Sequence, residues 1–375
     1  MENWGTGKIG LGLMSGSSLD GVDVAVVRFA PPERDSNQWF EWVFCECYPY
    51  PHSLAGRLKQ AQQTSLSGYF DLETELSEFY GDLIARVIAD LSQKDRPQFA
   101  GIHGHTVFHR PDRGYSLQMG RGAIIAQRAG IPLVLDFRNS AVAANRQGAP
   151  MVPILEQRFS EEYPLFLNLG GIANLSVFDG KKTLAWDVCG CNQLLNFLAG
   201  KKAMEFDRDG VLAAAGKIIP SLLKKLNEAE YLAKVPPKSL SNEEVQKWFV
   251  RILEADAHPV EDAAHTVCQH ISDAVAAAVS EFANKEEEQA KMMVSGGGVH
   301  HPVLMELLKK KCATVDLELV VPEPLLADYK EALLMAYMAW LRLRGEPNFL
   351  PENSGDLTQI IGGGVYLPSQ NGTDE

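Results

Sequence analysis

Three short runs of small residues have the make-up that phosphate chemistry asks for: Ser15-Gly16-Ser17-Ser18, Gly170-Gly171 with Asn168 and Asn174 close by, and Gly296-Gly297-Gly298. Backbone N–H groups reach a phosphate oxygen only where side chains are small or absent. The first run leads directly into Leu19, Asp20, Gly21, Val22 and Asp23, and the third is flat enough for a nucleoside to lie on. Any one run is ordinary hairpin use of glycine; all three in one chain are much more specific. A nucleoside triphosphate also brings magnesium, a hard cation that keeps several waters and is satisfied by one or two carboxylates. Asp20 and Asp23, and Asp187 after the strand-like TLAW, are the candidates. A second cluster, His103, His105 and His109, points to different chemistry. His103 and His105 would share one face of a strand, and zinc would take them with His109 as third ligand and an open position. A His-ligated metallohydrolase is the weaker alternative, because the helical HExxH pattern is absent.

The elements around these residues are legible. KIGLGLMSGSSLDGVDVAVVRF (8–29) reads as strand, polar turn and β-branched strand. LFLNLGGIANLSVF (165–178) repeats that pattern, which predicts a duplicated lobe rather than a short tandem repeat. KMMV (291–294), SGGGVH and PVLMELLKKK (302–311) read as strand, glycine loop and helix with Pro302 at its first position. That frame turns backbone N–H groups and a helix N-terminus toward an anion. Leu72, Leu76, Phe79, Leu83, Val87 and Leu91 predict a helix over 71–92, and Val267, Ile271, Val275 and Val279 another over 262–283. A third is expected over Glu331–Leu343. Glu331 in its first turn would suit the helix dipole, with Met335, Tyr337, Met338 and Trp340 in the core. Residues 224–245, with Pro236-Pro237, and KEEE (285–288) read as surface connections. Strands and helices interleave, so the class is α/β.

Composition sets the wider frame. The 375 residues carry 35 Lys plus Arg against 48 Asp plus Glu, a net charge of −13, with 46% apolar and 22% charged residues. This is a globular chain long enough for two lobes, each with its own core. An acidic total without a Lys/Arg run argues against nucleic acid or an anionic membrane as partner. No apolar stretch reaches the ~18 residues of a membrane span. MENWGTGKIGLGLMSG lacks the layout of an export signal, so the cytoplasm is the expected compartment. Cys45/Cys47 and Cys189/Cys191 are Cys-x-Cys pairs and, with Cys268 and Cys312, are expected to be reduced thiols.

Taken in order, the Gly-rich segments resemble the superfamily of acetate kinase, sugar kinases and actin, in which two related lobes clasp ATP. Within it the chain is similar to the anhydro-N-acetylmuramic acid kinases, through MSGSSLDGVD (14–23), HGHTVFHRP (103–111), DFRNSAVAANRQGAPMVP (136–153), NLGGIANL (168–175), WDVCGCN (186–192), FDRDG (206–210), SGGG (295–298) and NFLPENSGDL (348–357). The resemblance implies a two-lobed actin-like ATPase (ribonuclease H-like) α/β fold, with a duplicated mixed sheet and an ATP cleft between the lobes. Residues 1–145 would form the first lobe and 146–375 the second, the last segment being able to return to the first. It implies ATP with Mg2+, a small amino-sugar partner, and phosphorylation of O6 of 1,6-anhydro-N-acetylmuramic acid while water opens the anhydro ring, in peptidoglycan recycling. A homodimer is left open.

The same resemblance implies that Asp20 and Asp187 serve the metal and catalysis, that His103, His109, Arg138 and Glu331 meet the sugar, and that the histidine segment has no zinc role. One departure stands out. The family pattern DFRxxDxAxGGQGAPLVP supplies the base for ring opening from its second Asp, and that position is Ala141 here. A methyl group accepts no proton. The two family glycines before Gln147 are Asn145 and Arg146, His105 stands for the usual Gln, Val188-Cys189-Gly190-Cys191 for Thr-Gly-Pro-Gly, and His301 for an Asn. Three outcomes are open: Asp136 or Asp187 serves as base, a related sugar is phosphorylated without ring opening, or nucleotide is bound with little chemistry. Asp136 is as readily read as a salt-bridge partner of Arg138, and His300-His301 as either nucleoside contacts or a solvated helix start.

Overall fold

In β1, IGLGLM, leucine and isoleucine alternate with glycine, and this alternation decides how the first sheet is covered. The computed structural model describes residues 7–16, 19, 21–30, 39–178, 183–236, 238–255, 257–280, 282, 290–351 and 358–369. They form two compact units, Met1–Arg158 with Tyr329–Glu375, and Phe159–Asp328. In chain order the strands of the first unit are β1 (Ile9–Met14), β2 (Val22–Phe29), β3 (Phe40–Tyr48), β4 (Phe99–Ile102), β5 (His105–Arg110), β6 (Tyr115–Met119) and β7 (Leu133–Leu135). The second unit holds β8 (Leu165–Leu169), β9 (Ile172–Phe178), β10 (Thr183–Gly190), β11 (Ala290–Ser295) and β12 (Leu317–Val320), and β13 (Gly364–Tyr366) lies in the first.

The first sheet runs β13-β7-β4-β1-β2-β3 and the second β10-β9-β8-β11-β12, with β5-β6 a separate hairpin. In each, the opening strand pairs antiparallel with the next and parallel with the fourth. Apart from the added β13, both sheets have one topology. It is the ribonuclease H-like order, present twice in a mixed α/β chain.

In the first unit Ile9, Leu11 and Leu13 join Leu72, Leu76, Leu83 and Val87 of the Leu66–Asp90 helix in one core. Ser65 caps that helix, its Oγ accepting Gly68 N–H at 3.2 Å. The opposite face of β1 lies against the Pro324–Arg344 helix. A Cβ on Gly12 would stand 1.8 Å from the Ala332 carbonyl oxygen, and one on Gly101 of β4 2.1 Å from that of Met335. Two glycines thus let helix backbone settle directly on sheet backbone. Beside them Phe29 stacks on Trp340, centroids 4.5 Å apart, and Met335, Tyr337, Met338 and Trp340 are all buried as the sequence leads one to expect. Each buried side chain of this size contributes about 1.5–3 kcal/mol.

The second core gathers Leu165, Leu167 and Leu169 with Val267, Ile271, Val275 and Val279 of the Val260–Val279 helix. The stretch 224–245 is not simply a surface connection. It includes the end of the Pro220–Asn227 helix, and Tyr231 and Leu240 are buried. Tyr231 Oη donates to the Asp187 carbonyl at 2.7 Å, a distant partner that local composition does not announce. The KEEE segment lies outside the described residues. Among the described residues no helix is long and apolar enough to cross a membrane.

Candidate functional site

The first hairpin is anchored from below. Burial holds the Tyr50 phenol above its ordinary range, so it stays protonated, and it donates to Ser15 Oγ at 2.6 Å while Tyr80 lies 2.7 Å behind it. Because Tyr50 gives its one proton to Ser15, Tyr80 must donate to Tyr50. Leu19, buried, adopts φ +59°. A leucine in the left-handed region marks a turn held against its preference. Gly16 and Gly21 flank it, Val22 opens β2, and Asp23 pairs across with Met14. Ser17, Ser18 and Asp20 lie outside the described residues.

The same unit gathers the residues expected to meet the sugar. His103 follows β4, and its Nδ1 lies 2.9 Å from the Gly104 carbonyl, so Nδ1 carries the proton. His109 Nδ1 lies 2.9 Å from Ser116 Oγ on β6. The short Arg138–Ala143 helix is tied to β6 through Asn139, whose Oδ1 accepts Ser116 N–H at 3.0 Å and whose Nδ2 donates to Asp136 Oδ1 at 2.7 Å. Burial, then the charge of Arg138, lowers both histidines, His103 well below its ordinary range and His109 to about 4. Arg138 itself is brought down to about 10 by burial, opposed by Glu331. Glu331 is raised by burial, with Lys330 and Arg138 pulling it back and Asp23 adding to the rise. Arg138 thus acts electrostatically on His103, His109 and Glu331, and Asp23 on Glu331, all five residues belonging to the first unit. Asp136, at φ +64°, is raised by burial and drawn back by the N–H groups of Asn139. Its partner is Asn139 rather than a guanidinium. Ala141 is 1% exposed, a methyl in a closed place.

The second unit builds a polar rung. Asn168 pairs across β8–β9 with Asn174, Asn174 across β9–β10 with Asp187, and Ser295 across β11–β8 with Asn168. Residues paired directly across a sheet share a face, so Ser295, Asn168, Asn174 and Asp187 stand in one row. Ser295 Oγ is buried and has no partner. Gly170 and Gly171 turn the hairpin, accepting the N–H groups of Asn192, Cys191 and Gln193 at 2.9–3.1 Å. Gly296 sits at φ +86°, where a Cβ would meet Asn168 Oδ1 at 2.5 Å. Gly297 and Gly298 continue as a single turn, Gly297–His300, ahead of the Pro302–Ala313 helix. Small residues thus leave a cradle, bordered by one unsatisfied hydroxyl, that a side chain would fill. Its composition fits a phosphate or nucleoside.

Asp187 is held by its surroundings as well as facing that row. Its Oδ2 accepts Leu240 N–H at 2.7 Å, and burial raises its carboxyl to about 6. Among the described residues no group of three or more His, Cys, Asp or Glu could hold a metal ion. This is compatible with magnesium, which needs only one or two protein carboxylates. His103, His105 and His109 do not form a ligand set.

The structure corrects two further expectations. Glu331 is not in a first turn, because its helix begins at Pro324, so the dipole argument does not apply to it. His301 is not a nucleoside contact or a solvated residue. It is buried and caps the Pro302–Ala313 helix, Nδ1 accepting Leu304 N–H while Nε2 donates to Asp207 Oδ2 at 3.2 Å. His300 is exposed and pairs with Asp328 at 2.8 Å. Asp207, in FDRDG, also accepts Leu212 and Ala213 N–H at 2.8 and 3.0 Å, which makes that motif an internal anchor. Sequence reasoning missed Ser295, Asn139 and Tyr50. Ser295 and Asn139 stand inside quoted motifs, but nothing local marks a serine or asparagine as aimed inward.

The anhydro-N-acetylmuramic acid kinase family model matches residues 8–368. The chain is 31% identical over 370 residues to the anhydro-N-acetylmuramic acid kinase of Vibrio cholerae, covering 96% of this chain and 98% of that protein. It is 33% identical over 386 residues to that of Methylorubrum extorquens, covering 96% and 99%. Among solved structures it is similar to the activator of the 2-hydroxyisocaproyl-CoA dehydratase from Clostridium difficile with bound ADPNP, at TM-score 0.43 and 12% identity over 90% of this chain and 96% of that one. With both sheets, their hairpins and their motifs in place, the chain belongs to the anhydro-N-acetylmuramic acid kinase family.

Proposed function

We propose that this protein phosphorylates O6 of 1,6-anhydro-N-acetylmuramic acid from ATP and opens the anhydro ring with water, giving N-acetylmuramic acid 6-phosphate for cell-wall recycling in the cytoplasm. The family match across residues 8–368 carries this reading. The two hairpins and the glycine loop support it, as the parts phosphoryl transfer needs for positioning and charge neutralisation. Magnesium-ATP, when bound, supplies the phosphoryl group and neutralises charge on its oxygens. Gly170, Gly171 and the Gly296–Gly298 loop would admit phosphates and nucleoside to backbone distance, with Ser295 Oγ as a free donor. Asp187, with Oδ2 committed to Leu240, would hold magnesium through its other oxygen, and Asp20 is the further carboxylate that the resemblance implies for the metal. His103, His109, Arg138 and Glu331 would orient the sugar.

Ring opening needs a group that takes a proton from water. Ala141 offers none, and we assign the role to Asp136, whose raised carboxyl is fixed in direction by Asn139. The buried methyl of Ala141 also favours a second reading, phosphorylation of a related amino sugar with no ring opening. Reaction with Mg-ATP and the anhydro sugar in ¹⁸O water separates them. Product carrying one phosphate and one ¹⁸O supports the first, phosphate without ¹⁸O the second. No product at high enzyme concentration would leave a nucleotide-binding homologue.

A further inference from the structure

Tyr50 and Tyr80 belong to the apolar core of the first unit, yet each brings a hydroxyl into it. Burying a hydroxyl is unfavourable unless it is bonded, and phenylalanine would fill the same space. The two hydroxyls meet at 2.7 Å, and Tyr50 Oη lies 2.6 Å from Oγ of Ser15, itself buried. Tyr80 is fully enclosed on the Leu66–Asp90 helix. Tyr50 follows β3, whose end seals the return of the first hairpin: Val22 pairs with Tyr48, and a Cβ on Gly21 would overlap Sγ of Cys47. Leu19 of the same turn packs into the core with both tyrosines, and its N–H donates to the Gly16 carbonyl at 3.3 Å. The line of three hydroxyls and the turn that Ser15 opens are therefore built on the same elements.

Each hydroxyl has one hydrogen to give. Tyr80 gives its own to Tyr50, and Tyr50 gives its own to Ser15. Burial holds both phenols above their ordinary range, so neither loses that hydrogen near neutral pH. With its oxygen already accepting from Tyr50, Ser15 has its hydrogen left to give beyond the line. What lies there must accept it. A metal ion or an ammonium offers that hydrogen no lone pair, whereas a phosphate oxygen does. Bonds in such a line polarise one another, so the two tyrosines also strengthen the donor at its end.

We infer that Tyr50 and Tyr80 are positioning residues for the nucleotide: they fix the Ser15 hydroxyl as a donor to a phosphate oxygen. This rests on the ATP reading above, but its test does not depend on turnover. Dissociation constants for ATP with magnesium, and for adenosine, are measured by calorimetry on wild type, Tyr50→Phe, Ser15→Ala and the double variant. Ser15→Ala should bind ATP about 10- to 100-fold more weakly, as expected for losing a hydrogen bond to a charged acceptor. Tyr50→Phe should weaken ATP binding about 3- to 10-fold. In the Ser15→Ala background the same change should cost less than about 1.5-fold, because Tyr50 acts only through Ser15. Adenosine, which has no phosphate, should bind all four proteins alike.

Equal Tyr50→Phe penalties in the two backgrounds overturn the inference, since Tyr50 then serves packing alone. Tighter ATP binding by Tyr50→Phe overturns it too, because the Ser15 hydrogen would then have been spent on Tyr50. So does an adenosine affinity that falls in step with that for ATP. Should Tyr50→Phe fail to fold, as read from its melting transition, Tyr80→Phe removes the next link and carries the same cycle, with a penalty of about two- to threefold. If wild type binds ATP and Ser15→Ala binds it as well, the inference fails while the nucleotide reading stands. If wild type binds no ATP, both fall.

Discussion

Lys330 and Glu156 form an ion pair at 2.9 Å with side chains only 4% and 2% exposed, and Glu156 Oε2 has no partner at all. Lys330 stands next to Glu331 on the helix whose backbone rests on Gly12 and Gly101, so the pair sets how that helix is seated. Replacing Lys330 with Met leaves a buried carboxylate with neither oxygen bonded. Breaking a buried pair from one side costs about 3–5 kcal/mol, whereas replacing both partners with apolar residues of like volume is close to neutral. At about 2–4 °C per kcal/mol for a unit of this size, Lys330→Met should lower the melting temperature by about 6–20 °C. The double variant Glu156→Met/Lys330→Met should melt within about 4 °C of wild type. Differential scanning calorimetry on the four proteins of the cycle reads both numbers. If the double variant loses the sum of the two single losses, the groups are not coupled and the reasoning fails. A Lys330→Met shift under about 2 °C would fail it equally, since the charge would then not be desolvated.

Other outcomes follow from single contacts. Gly12→Ala places a methyl on the Ala332 carbonyl, a fixed backbone atom, and should cost at least about 3 kcal/mol, read by urea titration; an unchanged midpoint refutes it. Asp207→Ala removes the acceptor of Leu212 N–H, Ala213 N–H and His301, costing about 3–5 kcal/mol, and amide exchange at Leu212 and Ala213 should quicken. His270, buried against Phe249, is lowered to about 4 chiefly by burial. As pH falls from about 6.5 the unfolded chain takes up this proton and the folded one does not until about 4, so stability drops across that window. His270→Gln should flatten the fall in melting temperature between pH 7 and 4.5, and an unchanged slope would falsify the assignment. Gly296→Val should abolish ATP binding in calorimetry while leaving the circular dichroism spectrum intact.

What the sequence displayed was whatever local chemistry imposes. The hairpins at 8–29 and 165–178 are readable because β-branched runs flank turn residues, and β1–β2 and β8–β9 stand there. The Leu66–Asp90 and Val260–Val279 helices follow the spacing of their buried leucines and valines, with ends shifted by a few residues. The late helix was expected from Glu331, yet it starts at Pro324, because a proline suits a first helical turn as well as it ends a preceding strand. Ser15, Gly170 and Gly296 could be singled out because small residues are conspicuous. The residues that orient them were hidden. Tyr50 reaches Ser15 across 35 positions, Leu240 reaches Asp187 across 53, and Lys330 reaches Glu156 across 174. Such pairings arise only when distant elements are packed, and no spacing rule contains them.

The first unit is interrupted in the chain: Met1–Arg158 is finished by Tyr329–Glu375, with Phe159–Asp328 in between. On the ribosome this imposes an order. The intervening unit is continuous and has all five strands of its sheet once β12 has emerged. The earlier segment must wait for the helix that covers Gly12 and Gly101, and at 5–20 residues per second that wait is about 10–40 s. Meanwhile the bare glycine face of β1 and β4 is a nascent surface on which any passing helix can settle. The part of the molecule made first is therefore the part completed last, and the one most in need of shelter during synthesis.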